Sequence, residues 1–212
     1  MYCQASSLEY RLGAFKLIYT AYITAGLCDV NEYELRVIKH QLLSTSQIFV
    51  HVQDDKIIST VTYVGDSINL LPMDTVFHEE IANLRLSGQT PAEISCLATK
   101  GNHSGFLSSF RGLTKLMAQY ARLQGTTCFV IVVHPRHSLF YERYFGFKTL
   151  SNEIKPYKGV KENLAMSLIL DLNAIDKDKP WYWEEYFGDK TDLQPYIIPK
   201  EELDFWSKIC QE

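Results

Sequence analysis

The chain has 212 residues, of which 46% are apolar and 22% charged, with a net charge of -4 at neutral pH. That size suits one domain with a full core, and the acidic balance argues against a general nucleic-acid binder. No apolar run approaches the roughly 18 residues that span a bilayer, and the opening MYCQASSLEYRLG lacks the basic and apolar regions of a signal peptide, so the expectation is a cytoplasmic protein with no transmembrane segment. The five cysteines, Cys3, Cys28, Cys96, Cys128 and Cys210, are scattered without C-x-x-C spacing, which favours reduced thiols over a disulfide framework or a metal site.

From Ser6 or Ser7 to about Ala25, the residues Leu8, Leu12, Phe15, Tyr19, Tyr22 and Ile23 recur at helical spacing, with a serine cap and Gly26 as stop. Tyr33 to Leu43 fits either helix or ordered loop. Residues 47–53 and 56–64 are two β-rich runs around Asp54-Asp55 and predict a hairpin. Residues 65–73 read as irregular, after which Asp74 is placed to cap an acidic helix ending near Leu86. Glu93 to Thr99 predicts a central strand, Leu113 to Leu123 an amphipathic helix, and Cys128 to Val133, bounded by Gly125 and Pro135, a strand buried on both faces. Strand, helix and strand in that order require parallel neighbours joined by a crossover. Pro135 fits the first turn of a helix carrying Leu139, Phe140, Arg143 and Tyr144, Gly146 fits its left-handed cap, and 164–170 a last strand. The tail holds Trp181, Tyr182, Trp183, Tyr186, Phe187, Phe205 and Trp206, too many rings to leave in water. Two short helices near 180–187 and 200–210 would pack them on the domain, or they would roof a ligand or meet a partner.

The joint pattern His134-Pro135-Arg136-His137, Phe140-Tyr141 and Gly146-Phe147 resembles the last helix-containing motif of the GNAT superfamily of N-acyltransferases. Asp66-Ser67 through Leu71-Pro72-Met73-Asp74, followed by an acidic helix ending at Ser87-Gly88, is similar to the branch that makes long-chain N-acyl amino acids, the N-acyltyrosine synthase type related to acyl-homoserine lactone synthases. The resemblance covers most of residues 45–171. It implies a GNAT-like α/β fold, a mixed central sheet with splayed parallel strands flanked by helices, filling 1–212 as one domain with 176–212 as a helical extension. It also implies a soluble acyltransferase that moves a long acyl group from acyl carrier protein to the amine of an amino acid, tyrosine being the family's best-known acceptor. No permanent cofactor and no metal are implied. The donor would be the acyl-phosphopantetheine of acyl carrier protein, or acyl-CoA. The alternatives are an acyl-homoserine lactone synthase-like enzyme and a non-catalytic module that binds acyl carrier protein or lipid.

Candidate site residues follow. A carboxylate at the start of a central strand can take the proton of an attacking ammonium, which points to Glu93 as general base. The resemblance implies a Glu-x-x-Arg pattern there; Cys96 replaces the arginine, a departure that touches whatever that arginine does, bracing Glu93 or gripping an acceptor carboxylate. It also implies an oxyanion donor from a backbone N–H at a bulge in this strand, at Leu97 or Ala98, and Tyr141 as proton donor to the leaving thiolate, with Tyr144 second. His134 could bind the acceptor or act as base, Arg136 could pair with a carboxylate or phosphate, and His137 completes that polar cluster. The stretch Phe106 to Gly112 lacks the glycine spacing that cradles the CoA pyrophosphate, which favours a carrier-protein donor. Lys100, His103, Arg111, Gly112 and Lys115, with Arg122, would then form the carrier and phosphopantetheine face. Each of these residues also has a purely structural reading, from half-buried tyrosine to solvated cation.

Overall fold

The computed structural model describes residues 1–100, 106–188 and 193–210. Strand β1 (Tyr2–Gln4) is followed by helix α1 (Leu8–Thr24), which starts where the Ser7 side chain accepts the Tyr10 N–H and so satisfies one of the helix's unpaired donors. The buried stripe of α1 is Arg11, Ala14, Phe15, Ile18 and Tyr19. Leu8 and Leu12, expected in that stripe, are half exposed. The helix is rotated because Arg11, only 2% exposed, is held by both carboxylate oxygens of Glu202 on the C-terminal helix and by the Ala5 carbonyl at 2.6 Å. A fully paired guanidinium can enter a core that hydropathy alone reserves for leucine.

Strands β2 (Ser46–Gln53) and β3 (Lys56–Gly65) form the expected hairpin. Its turn residues Asp54 and Asp55 both take positive φ, 48° and 56°, a conformation that aspartate tolerates and that matches strand twist without glycine. Helix α2 (His78–Leu86) begins later than Asp74. Asp74 does not cap it: the carboxylate lies in a 3-10 turn, Pro72–Thr75, where it accepts the Leu71 N–H at 2.7 Å and pairs with Arg85, which also grips Asp66.

Strand β4 (Pro91–Thr99), helix α3 (Phe106–Leu123) and strand β5 (Cys128–Val133) make the one parallel pairing among the described strands. Helix α3 begins at Phe106 rather than near Leu113. Next come α4 (Ser138–Phe145), closed by Gly146 at φ 76°, the short strands β6 (Lys148–Thr149) and β7 (Lys155–Tyr157), and β8 (Asn163–Asp171). The sheet order is β1-β2-β3-β4-β5-β8-β6, with β7 paired to β8. One core cluster packs α3 and α4 against one face of the sheet. Others lie against α1 and α2.

The aromatic tail closes both faces. Helix α5 (Leu172–Asp178), capped by Asp171 and not foreseen, leads to α6 (Trp183–Tyr186), whose Tyr186 joins Phe187 in the cluster beneath α3. Helix α7 (Lys200–Ile209) buries Trp206 edge-on against Phe15 at 4.8 Å, with its indole N–H on Glu202. Trp181 stays in solvent, 86% exposed. The buried rings of the tail therefore complete the core, as packing of two short helices on the domain requires.

Glu202 thus neutralises Arg11 while it also holds α7. Glu202→Ala strands a buried guanidinium and is expected to cost about 3 kcal/mol or more in urea unfolding, whereas the double change Arg11→Met with Glu202→Leu removes both charges and should cost clearly less. Equal losses for the two variants would contradict this account.

Candidate active site

The site exists because β4 and β5 stop pairing. They are in register at Pro91↔Cys128, Ala92↔Phe129 and Glu93↔Val130 and then part, although β4 continues to Thr99 and β5 to Val133. Each keeps its outer neighbour: β5 remains paired with β8 to Val133↔Met166, and β4 with β3 to Ser59↔Thr99. Within β4 the register jumps from Thr62↔Ser95 to Thr60↔Ala98, so Val61 faces two residues, Cys96 and Leu97. This is a β-bulge, and Cys96 holds it in a left-handed conformation, φ 52°, that a cysteine adopts only under constraint. A bulge frees backbone groups from the ladder and adds twist, which carries β4 away from β5.

The gap opens into a cavity of about 960 Å³. One wall is apolar, with Ile94, Leu97, Phe110, Val133 and Tyr141 packed on the α3 side. The other wall, toward α1, presents Tyr22, Arg36, His40, Glu93, Cys96 and Tyr157.

Glu93 borders this cavity and is 2% exposed. One carboxyl oxygen accepts the Met73 N–H at 2.7 Å, and the other has no hydrogen-bond partner among the described residues. Burial, reinforced by the nearby Asp74 charge and only partly offset by the Met73 hydrogen bond, pushes its pKa up to about 8. A carboxyl poised near neutrality in a cleft has the proton affinity of a general base. Tyr141 stands on the apolar wall, where burial pushes its phenol up to about 12. It therefore carries its proton at neutral pH. Tyr144, two-fifths to one-half exposed, does not border the cavity.

The polar cluster after β5 lies along the same cleft. His134 accepts the Arg136 N–H at its Nδ1, 3.3 Å, and so caps the short turn Pro135–His137. Arg136 donates from Nε to His137 Nε2 at 3.0 Å, and both side chains are exposed. Burial, then Arg136 and His134, lowers the His137 pKa.

The remaining sequence-derived candidates lie apart. Ala98 has returned to the ladder opposite Thr60 and does not border the cavity, whereas Leu97, at the bulge, does. Lys100 is exposed just beyond β4. Arg111 pairs with Glu185 at 2.9 Å and lies over the Tyr186 ring. Gly112 is where the Tyr2 ring packs, since a Cβ there would stand 2.5 Å from that ring. Lys115 is half-buried on α3, Arg122 pairs with Asp176, and His103 is outside the described residues.

Two site residues carried no sequence signal. Tyr157 reads as part of a Pro-Tyr-Lys-Gly turn, yet the β7–β8 pairing brings it to the cavity, where burial and then the Glu93 carboxyl drive its phenol far above the usual range. Arg36 lies in the segment that fits helix or loop equally and folds as extended chain, its N–H bonded to the Phe15 carbonyl at 3.2 Å.

No curated protein sequence matches the chain. Among solved structures it is similar to FeeM, an N-acyl amino acid synthase from uncultured soil microbes, with a TM-score of 0.70 at 21% identity over 82% of this chain and 95% of that one. It is similar to the acyl-homoserine lactone synthase LasI, TM-score 0.62 at 14% identity over 92% and 96%, and to Escherichia coli ElaA, TM-score 0.57 at 9% identity over 81% and 98%. At those identities the likeness establishes the GNAT-like fold. The family description "N-acyl amino acid synthase FeeM" matches residues 13–171, well over half the chain and all of the cleft's strands. The chain therefore belongs to the FeeM family of N-acyl amino acid synthases and is an acyltransferase.

Proposed function

We propose that the enzyme transfers a long-chain acyl group from the phosphopantetheine thioester of acyl carrier protein to the α-amine of an amino acid, with tyrosine as the acceptor. The observation that carries this reading is a buried carboxyl, Glu93, on the polar wall of a cavity whose opposite wall is hydrocarbon. An acyl thioester lies along the apolar wall and the acceptor enters from the α1 side. The acceptor ammonium gives one proton to the Glu93 carboxylate, and its nitrogen attacks the thioester carbonyl to form the C–N bond. The charge moving onto the carbonyl oxygen meets the Leu97 N–H at the bulge. Collapse breaks the C–S bond, the thiolate takes the Tyr141 phenol proton, and the proton left on nitrogen replaces it.

The start of α3 supports a carrier-protein donor. Arg111 pairs with Glu185 and the Tyr2 ring packs on Gly112, an arrangement unlike an open glycine turn that cradles a pyrophosphate. A single phosphate on a pantetheine arm asks for less, and Lys100 and Arg136 offer exposed positive charge for an acidic carrier. The cytoplasm, where acyl carrier protein is found, is the compartment this reading assigns.

Four measurements test the reading. Incubation with C12 to C16 acyl carrier protein and tyrosine should yield N-acyltyrosine by mass spectrometry, and Glu93→Gln should slow that reaction about 10²- to 10⁴-fold; an unchanged rate removes Glu93 from the mechanism. Because the carboxylate is the working form, kcat/KM should rise with pH and level off above about 8, a limb that the Gln variant lacks. Glu93 also makes folding pH-dependent: between its ordinary 4.5 and about 8 the folded chain holds a proton that the unfolded chain has released, so stability falls as pH rises through that window. Glu93→Gln should therefore raise the Tm at pH 8 more than at pH 4.5. Finally, Lys100→Glu should lower kcat/KM for acyl carrier protein while sparing a small acyl-pantetheine donor; equal loss for both donors would count against carrier docking there.

A further inference from the structure

Of the described cations that border the cavity, Arg136, Lys39, Lys158 and Lys161 are exposed, and Arg36 is buried, 9% exposed. Burying a guanidinium is costly unless its charge is paired and its five N–H donors are met. Arg36 meets few of them. One Nη2 hydrogen reaches the Gly159 carbonyl at 2.9 Å, and the guanidinium lies over the Tyr22 ring at 4.8 Å. Its Nε is buried with no partner, and no acidic side chain among the described residues forms an ion pair with it. Lys161, the nearby alternative, is already paired with Asp29 at 2.7 Å.

The charge belongs to the polar wall of the cleft. Tyr22, Arg36, Cys96 and Tyr157 all border the cavity; burial raises the thiol and the two phenols, and in all three the Arg36 charge pulls the other way. Tyr157 also feels Glu93, and both border the cavity. On the same wall, Cys96 offers neither charge nor an N–H fork. A buried cation with an unmet donor therefore borders the same cavity as Glu93.

We infer that Arg36 is the acceptor's carboxylate clamp: its fork receives the α-carboxylate of the amino acid and thereby presents the α-amine to Glu93. The inference rests on the reading of this cleft as the acyl-transfer site. A planar fork matches a carboxylate in two parallel hydrogen bonds, and Nε supplies one of the donors now unmet. Such a clamp fixes register as well as affinity, because amine and carboxylate are joined through a single carbon. It therefore selects α-amino acids over amines, amino-acid amides and esters, whose neutral ends would leave the guanidinium buried and unpaired.

Binding of the product tests the clamp without turnover. N-lauroyl-L-tyrosine and its C-terminal amide are titrated into the enzyme by calorimetry. The wild type should bind the acid about 10- to 100-fold more tightly than the amide, the effect of one or two charge-assisted hydrogen bonds. Arg36→Met, which keeps the packing over Tyr22, should abolish that preference with little change in amide affinity. Arg36→Lys, which keeps the charge and a donor to Gly159, should retain only part of it, and a melting curve for each variant confirms folding. Equal affinity of the wild type for acid and amide, or a folded Arg36→Met that keeps the preference, overturns the assignment. Failure of the acyl-transfer reading has a different signature: no N-acyl amino acid forms from acyl thioester and amino acid with the wild type, whatever the acid-to-amide ratio in binding.

Discussion

The structure depends on two parallel strands that pair for three residues and then separate. A fully zipped β4–β5 pair would satisfy its own backbone and leave no room for a ligand. Parting costs ladder hydrogen bonds, and the fold tolerates this because each strand has a second neighbour: β3 holds β4 and β8 holds β5 across the open region. The bulge at Cys96 and Leu97 sets the direction of departure, and its left-handed cysteine is strain maintained by pairing on either side. Ligand space and the exposed edge of the cleft thus have one origin. Open α/β sheets use the same device wherever neighbouring strands diverge.

Around that opening the protein divides its chemistry by face. The α3 side supplies hydrocarbon and a protonated phenol, and the α1 side supplies a carboxyl, a guanidinium and two further phenols. Burial brings Glu93 near neutrality, and the low dielectric lets its charge act on Tyr157, whose own burial is the larger cause of its shift. The separation suits a reaction between a greasy thioester and a zwitterion. Each substrate meets walls of its own polarity, and the two meet only where the strands part.

The polar wall is held by elements far apart in the chain. Met73, which fixes Glu93, sits in a turn anchored by Asp74, Arg85 and Asp66. Arg36 is tied by its backbone to α1, and α1 is set in rotation by Arg11 and Glu202 of α7. The C-terminal helices therefore act on the site through the orientation of α1, while their aromatic residues complete the core instead of lining the cleft.

The sequence by itself determined the hairpin, the strand-helix-strand crossover of β4, α3 and β5, the last strand β8 and the left-handed Gly146, and it singled out Glu93 and Tyr141, which both border the cavity. All of these rest on local periodicity, turn chemistry or a contiguous motif, which a one-dimensional pattern retains. Only the tertiary structure decided that Arg11 faces inward while Leu8 and Leu12 face out, that Asp74 serves Arg85 and not a helix end, and that Leu97 borders the cavity while Ala98 does not. It alone brought Arg36 and Tyr157, separated by more than half the chain, to the cavity that Cys96 borders. Burial of a charge is permitted by a partner remote in sequence, and a bulge is a mismatch between two strands, so neither leaves a mark on the segment that carries it.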